Sequence, residues 1–165
     1  MGIPVVVSWG AFDVLPHSYP LLVGALGVYG NRGANFTVQN SDLLISLGSR
    51  LDTRQTGGRV NYFAREAKKV MVDIDPNEIF KGRGLTIDVP VVSDIKRFLN
   101  LFLLRISAIR KPDISSWVVR AQEWKNKYPA VLPEYSENKK GMSAYTFLKL
   151  LSDEVKEGET IIVDE

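Results

Sequence analysis

Asp42-Leu43-Leu44-Ile45-Ser46-Leu47, running directly into Gly48-Ser49-Arg50-Leu51-Asp52-Thr53-Arg54-Gln55-Thr56-Gly57, decides the fold class of this chain. Its first half is almost continuously apolar, the pattern of a strand covered on both faces by helices. Its second half is a glycine-bounded polar loop. Lys69-Val70-Met71-Val72-Asp73-Ile74 repeats the apolar pattern, and Pro4-Val5-Val6-Val7-Ser8 and Leu85-Thr86-Ile87-Asp88-Val89 add two more β-branched runs. Between the runs lie stretches that can be helical, Gly33 to Asn40 and Val60 to Glu66. Beyond them, Ser93 to Arg110 places Ile95, Phe98, Leu99, Phe102, Leu103 and Ile106 at i, i+3, i+4 spacing, with Ser93 as N-cap. Strands alternating with helices imply parallel pairing and a doubly wound α/β sheet.

Further along, Arg110-Lys111-Pro112-Asp113 ends the long helix and places a domain boundary near residue 111. Ser115 to Tyr128 reads as an amphipathic helix, Pro129 to Gly141 as a polar linker, and Ser143 to Val155 as another helix. That helix leads through Lys156-Glu157-Gly158-Glu159 into a last strand, Thr160 to Glu165. The expected organisation is therefore a domain over 1–110, a helix-bearing linker over 111–142, and the opening of a second α/β unit over 143–165. A strand-like run at each end, without polar fraying, suggests an excised piece of a longer protein.

Composition narrows the class. With 165 residues, 45% hydrophobic and 24% charged, the chain has the profile of an ordinary globular protein and no apolar run able to span a bilayer. A net charge of +2, spread without a basic stripe, argues against a nucleic-acid partner. There is no cysteine, hence no disulfide framework or thiolate metal site, and Met1-Gly2-Ile3 lacks a secretory n-region. A cytoplasmic location is expected.

The loop after Leu47 is where chemistry is anticipated, because α/β sheets bind ligands at the carboxyl ends of their strands. Gly48 permits close backbone approach, and Arg50 and Arg54 are suited to bidentate phosphate contacts. Asp73 and Asp75, closing the next strand, offer a carboxylate to a ribose. These residues describe a dinucleotide site, but a complete G-x-G-x-x-G is absent. The same residues also fit turn glycines, a solvated loop, and an Asp75 N-cap followed by Pro76. A second cluster, Gly24 to Asn35, could lie along a flat ligand or be a tight connection packed on the sheet. His17 sits in a proline-flanked turn and reads as structural, and Trp117, Trp124 and Tyr128 read as packing residues.

Taken in order, Gly27-Val28-Tyr29-Gly30, Val38-Gln39-Asn40-Ser41-Asp42-Leu43-Leu44-Ile45, Gly48 to Gly57, and Val72-Asp73-Ile74-Asp75-Pro76-Asn77-Glu78-Ile79 resemble the acetolactate synthase large-subunit family. The likeness is firm over residues 3 to 105 and looser from 115 to 165. It implies the central domain of a thiamine-diphosphate enzyme: a Rossmann-like sheet of about six strands with a helical C-terminal extension. It also implies FAD or ADP held by the equivalents of Gly27, Tyr29, Gly30, Arg50, Asp52, Arg54, Asp73, Ile74, Asp94 and Ile95. Tyr29, Thr53 and Ser93 depart from the family's histidine, aspartate and glycine. The resemblance places the thiamine-activating glutamate in a preceding domain and the diphosphate- and magnesium-holding motif beyond Glu165, so no catalytic residue is expected here. The whole enzyme is expected to join small 2-oxo acids as a homodimer or homotetramer. Another thiamine-diphosphate decarboxylase, or a free-standing nucleotide-binding module, are the rival readings.

Overall fold

A computed structural model describes residues 1–135 and 141–162. The chain divides into two compact units, Met1–Lys127 and Tyr128–Glu165.

The first unit is α/β with parallel sheets. Strands β1 (Val5–Val7) and β2 (Leu22–Ala25) pair in parallel, Val6 facing Gly24 and Val7 facing Ala25. A second sheet has the order β3-β4-β5, with β3 Leu43–Leu47, β4 Lys68–Asp73 and β5 Val89–Val92, again all parallel. Parallel neighbours need crossovers. The connection from β1 to β2 carries a 3-10 turn, Trp9–Ala11, and α1 (Arg32–Gln39) leads from β2 to β3. The connection from β3 to β4 carries α2 (Thr53–Thr56), and that from β4 to β5 carries α3 (Pro76–Phe80). Helices α4 (Ile95–Arg105) and α5 (Ser115–Lys127) follow β5. Among the described residues the strands thus number five, in sheets of two and three, rather than six in one.

β4 is the most deeply covered strand, with Lys69, Met71, Val72 and Asp73 buried. β3 resembles it in sequence but is an edge strand, so Leu43 and Leu47 remain exposed and only Ser46 is buried. The core consists of Leu26, Val38, Leu51, Phe63, Ala64, Ala67, Met71 and Ile79. A smaller cluster of Val23, Ala34 and Ala121 lies where α1 meets α5 and β2. Val6 packs against both.

Several expectations shift. β2 was not anticipated. The strand expected over Leu85–Val89 is displaced to Val89–Val92; Asp88 instead joins the sheet through single bonds, its amide to the Lys69 carbonyl (3.0 Å) and its carboxylate to the Lys69 amide (2.8 Å). The helix expected over Val60–Glu66 is one 3-10 turn, Val60–Tyr62, because Ala64 is buried with φ +42 and breaks the helical path. Asp94, not Ser93, caps α4, accepting from the Arg97 amide at 3.0 Å.

Helix α5, expected in a linker beyond residue 111, packs on α1 and β2, so the first compact unit continues to Lys127. Gln122 and Lys125 donate to the Pro20 and Leu22 carbonyls at 2.6 Å each. Trp124 lies against Phe36 and Trp117, with ring centroids 5.9 and 5.8 Å apart, which makes both tryptophans packing residues. In the second unit, Ser143 caps α6 (Ala144–Glu154) through the Tyr145 amide, and Tyr135 stacks on Tyr145. Thr160–Ile162 are not a strand, and the remainder of the expected final strand, 163–165, lies outside the described residues, as does 136–140 of the expected linker.

Candidate functional site

Every residue singled out from the sequence for a cofactor role lies at the carboxyl end of a parallel strand. Gly27, Tyr29 and Gly30 connect β2 to α1; Gly48, Arg50, Asp52 and Arg54 connect β3 to α2 and run into it; Asp73 and Ile74 close β4; Asp94 and Ile95 open α4 after β5. Backbone bonds hold these loops together. The Val28 amide donates to the Arg54 carbonyl at 2.8 Å, joining the first loop to the second. The Gly48 amide donates to the Val72 carbonyl at 2.8 Å, and the Ser93 amide to the Asp73 carbonyl at 2.9 Å.

Two glycines sit at these joins. Gly27 has φ +120, and a β-carbon there would collide with the Arg54 carbonyl oxygen. Gly48 has φ +60, and a β-carbon would meet the flexible end of the Ile95 side chain, which can shift. Both backbone conformations disfavour other residues, and at Gly27 the missing atom is needed as well. Asn35 clamps Gly27 from α1, its amide nitrogen donating to the Gly27 carbonyl and its oxygen accepting from the Gly27 amide, each at 2.9 Å. Asn31 accepts from the Ala25 amide at 2.8 Å. Neither asparagine was anticipated as a positioning residue; the signal lay in the Asn31-Arg32-Gly33-Ala34-Asn35 helix start.

The acidic residues are largely engaged by backbone. Asp52 caps α2, accepting from the Arg54 and Gln55 amides at 2.9 and 3.3 Å, and Gln55 accepts from the Asp52 amide at 3.2 Å, a complete capping box. Asp75 caps α3 through the Asn77 amide at 2.8 Å, with Pro76 at the first helical position. Buried Asp73 accepts from the Asp75 amide at 3.0 Å. Preceding Asp52, Leu51 is buried in the core with φ +46, a left-handed backbone that only firm surroundings maintain.

The two arginines have different neighbours. Arg54 places its guanidinium over the exposed Trp9 ring, 5.8 Å from the centroid, and Trp9 in turn lies 6.1 Å from Tyr29. Arg50 is held at two points. Its guanidinium pairs with Glu78 at 3.0 Å, and its backbone carbonyl accepts from the Lys81 ammonium, which also pairs with Glu78 at 2.7 Å. Lys81 foremost, then Arg50, keeps the Glu78 carboxyl ionised down to about 2, and Glu78 raises Arg50 above its ordinary value. Trp9, Glu78 and Lys81 were not among the expected site residues. Glu78 and Lys81 are separated from Arg50 by a whole strand, and no local pattern announces the contact.

Among the described residues no group of three or more His, Asp or Glu side chains is arranged to hold a metal ion, and no helix is long and apolar enough to cross a membrane. The edge offers one exposed arginine beside an aromatic ring, a second arginine gripped by a carboxylate, and glycine loops that admit close backbone approach. That combination is suited to phosphate and a flat ring.

Residues 1–102 match the central domain of the thiamine pyrophosphate enzymes. The chain is 40% identical over 130 residues to the acetolactate synthase large subunit of Corynebacterium glutamicum, covering 78% of this chain and 20% of that protein. It is 37% identical over 123 residues to the probable acetolactate synthase large subunit of Methanocaldococcus jannaschii, covering 74% of this chain and 20% of that protein. With the acetolactate synthase of Mycobacterium avium it shares 37% identity over 155 residues, 87% of this chain and 24% of the relative. The matches therefore span about a fifth to a quarter of the relatives' length. The parallel α/β architecture, the loops joined at the carboxyl ends of its strands and the match over most of the first unit together establish that this chain belongs to the thiamine pyrophosphate enzyme central-domain family.

Proposed function

We propose that the chain is the cofactor-binding central domain of an acetolactate-synthase-like enzyme, and that its carboxyl edge takes an ADP-bearing nucleotide, FAD or ADP. The observation that carries this is the joining of the 27–30 loop to Arg54, and of Gly48 to the end of β4, in one row along the edge. Gly27, Tyr29, Gly30 and Gly48 supply backbone surface for the diphosphate and ring. Arg50 and Arg54 supply the countercharge. Asp73 and Ile74, with Asp94 and Ile95, border the site from the next two strands. The residues fit the group at the arginines and glycines; Asp52 and Asp94 reach it only with what their capping bonds leave free.

The whole enzyme, on this reading, decarboxylates a 2-oxo acid such as pyruvate and ligates the remainder to a second oxo acid, in the cytoplasm and as a homodimer or homotetramer. Thiamine diphosphate with magnesium supplies the carbon–carbon chemistry and is held by residues outside this chain. FAD in this domain plays a structural part in a reaction without net redox change.

The test is direct binding of FAD and ADP to the chain, read by flavin absorbance and calorimetry. Replacing Arg50 or Arg54 with alanine is expected to weaken binding about tenfold each, the worth of one charge-assisted contact. Unchanged affinity in both variants would remove the phosphate role. Acetolactate formation from pyruvate by the enclosing protein separates this reading from another thiamine-diphosphate decarboxylase.

A further inference from the structure

Arg50 is an exposed side chain on a loop, the kind of group that ordinarily samples many rotamers, yet it is fastened at both its ends. Glu78 takes the guanidinium at 3.0 Å, while Lys81 reaches the backbone carbonyl of the same residue and pairs with the other oxygen of Glu78 at 2.7 Å. The Glu78 and Lys81 side chains are themselves only 19% and 16% exposed, against 64% for Arg50. The fixed partners thus belong to α3 and its C-cap, Glu78 within the helix and Lys81 just after it, and the held one is in the loop. On the other side of Arg50, Leu51 is locked into the core with φ +46 and Asp52 is committed to the α2 capping box. Three successive residues are constrained by three separate elements, more than a solvated loop requires.

We propose that Glu78 and Lys81 are positioning residues that aim the Arg50 guanidinium at an anionic nucleotide; this rests on the nucleotide reading of the edge given above. A fork fixed before the ligand arrives loses less rotamer entropy on binding, so affinity depends on the grip as well as on the charge. Glu78 occupies one side of the planar group and leaves its remaining N–H donors to a phosphate.

Charge arithmetic separates positioning from simple electrostatics. Glu78→Gln makes the surroundings of Arg50 more positive by one, and Lys81→Gln makes them less positive by one. If the pair acted only through its field, ADP affinity would rise in the first variant and fall in the second. If it only stabilised the fold, neither would change affinity once folded. Positioning requires both to weaken ADP binding, by about fivefold to tenfold, with the effect vanishing when Arg50 is already alanine.

The measurement is calorimetric ADP titration of the full chain and the variants Glu78→Gln, Lys81→Gln, Arg50→Ala and the two doubles, with circular dichroism to confirm folding. Either single variant with its double suffices should the other fail to fold. Arginine side-chain nuclear magnetic resonance adds a ligand-free readout: the Arg50 Nε–H signal is expected to sharpen with the grip intact and to average in either variant. Tighter or unchanged ADP binding in Glu78→Gln, or a loss of equal size in the Arg50→Ala background, overturns the positioning role while leaving the nucleotide site standing. A parent chain that binds neither ADP nor FAD overturns both.

Discussion

At Gly27 one hydrogen atom stands where any other residue would drive a carbon into the Arg54 carbonyl, and the backbone there, at φ +120, is hostile to side chains as well. Gly27→Ala is expected to destabilise the chain by about 1–3 kcal/mol, the range for a strained backbone position, with a lower urea midpoint and an unchanged slope. The identity of such residues was legible in the sequence; their partners were not. Asp75 before Pro76 announced its capping role, since the signal spans adjacent residues. Asp52 reads in the sequence only for a ligand role, and the capping box with Gln55 engages one of its two carboxylate oxygens. Asn35 on Gly27 is a contact across 8 positions made once the loop folds back on the start of α1, and Lys81 on Arg50 is one across 31 positions, made only when β3 and β4 are side by side.

Among the elements, those with long periodic patterns were readable and those with short ones were not. The apolar run of β4 and the spacing of α4 and α5 placed them to within a few residues. β2 is four residues containing a glycine, too brief and too weakly β-prone to stand out. β5 carries Pro90, which cannot donate to a ladder and draws suspicion away from a strand, but an edge position tolerates it. The importance of α5 was hidden for another reason: its covering role depends on Ala34 and Ala121, both fully buried, whose small size looks unremarkable in sequence. Small side chains let α1 and α5 approach closely, and Ala34→Leu is expected to cost about 1–3 kcal/mol by overpacking, read as a fall in melting temperature. An equally bulky change at exposed Val119 is expected to be neutral within about 0.5 kcal/mol in the same melt.

For the molecule as a whole, the question is where the first unit ends. A chain stopped after Lys127 keeps α5 on α1, whereas one stopped after Arg110 exposes Val23 and Ala34 and loses the bonds from Gln122 and Lys125. The shorter truncation is expected to bind a hydrophobic dye and melt over a broadened range, and the longer one to melt as sharply as its parent; equal behaviour of the two would deny α5 its place in the unit. The position of Val6 gives this a reach beyond the α5 surface. One valine from the first strand touches both apolar clusters, so loosening either removes a wall from its neighbour. Damage at the rear of the domain would then be transmitted to the layer that seats Leu51, and through it to the nucleotide edge, without any residue there having been altered.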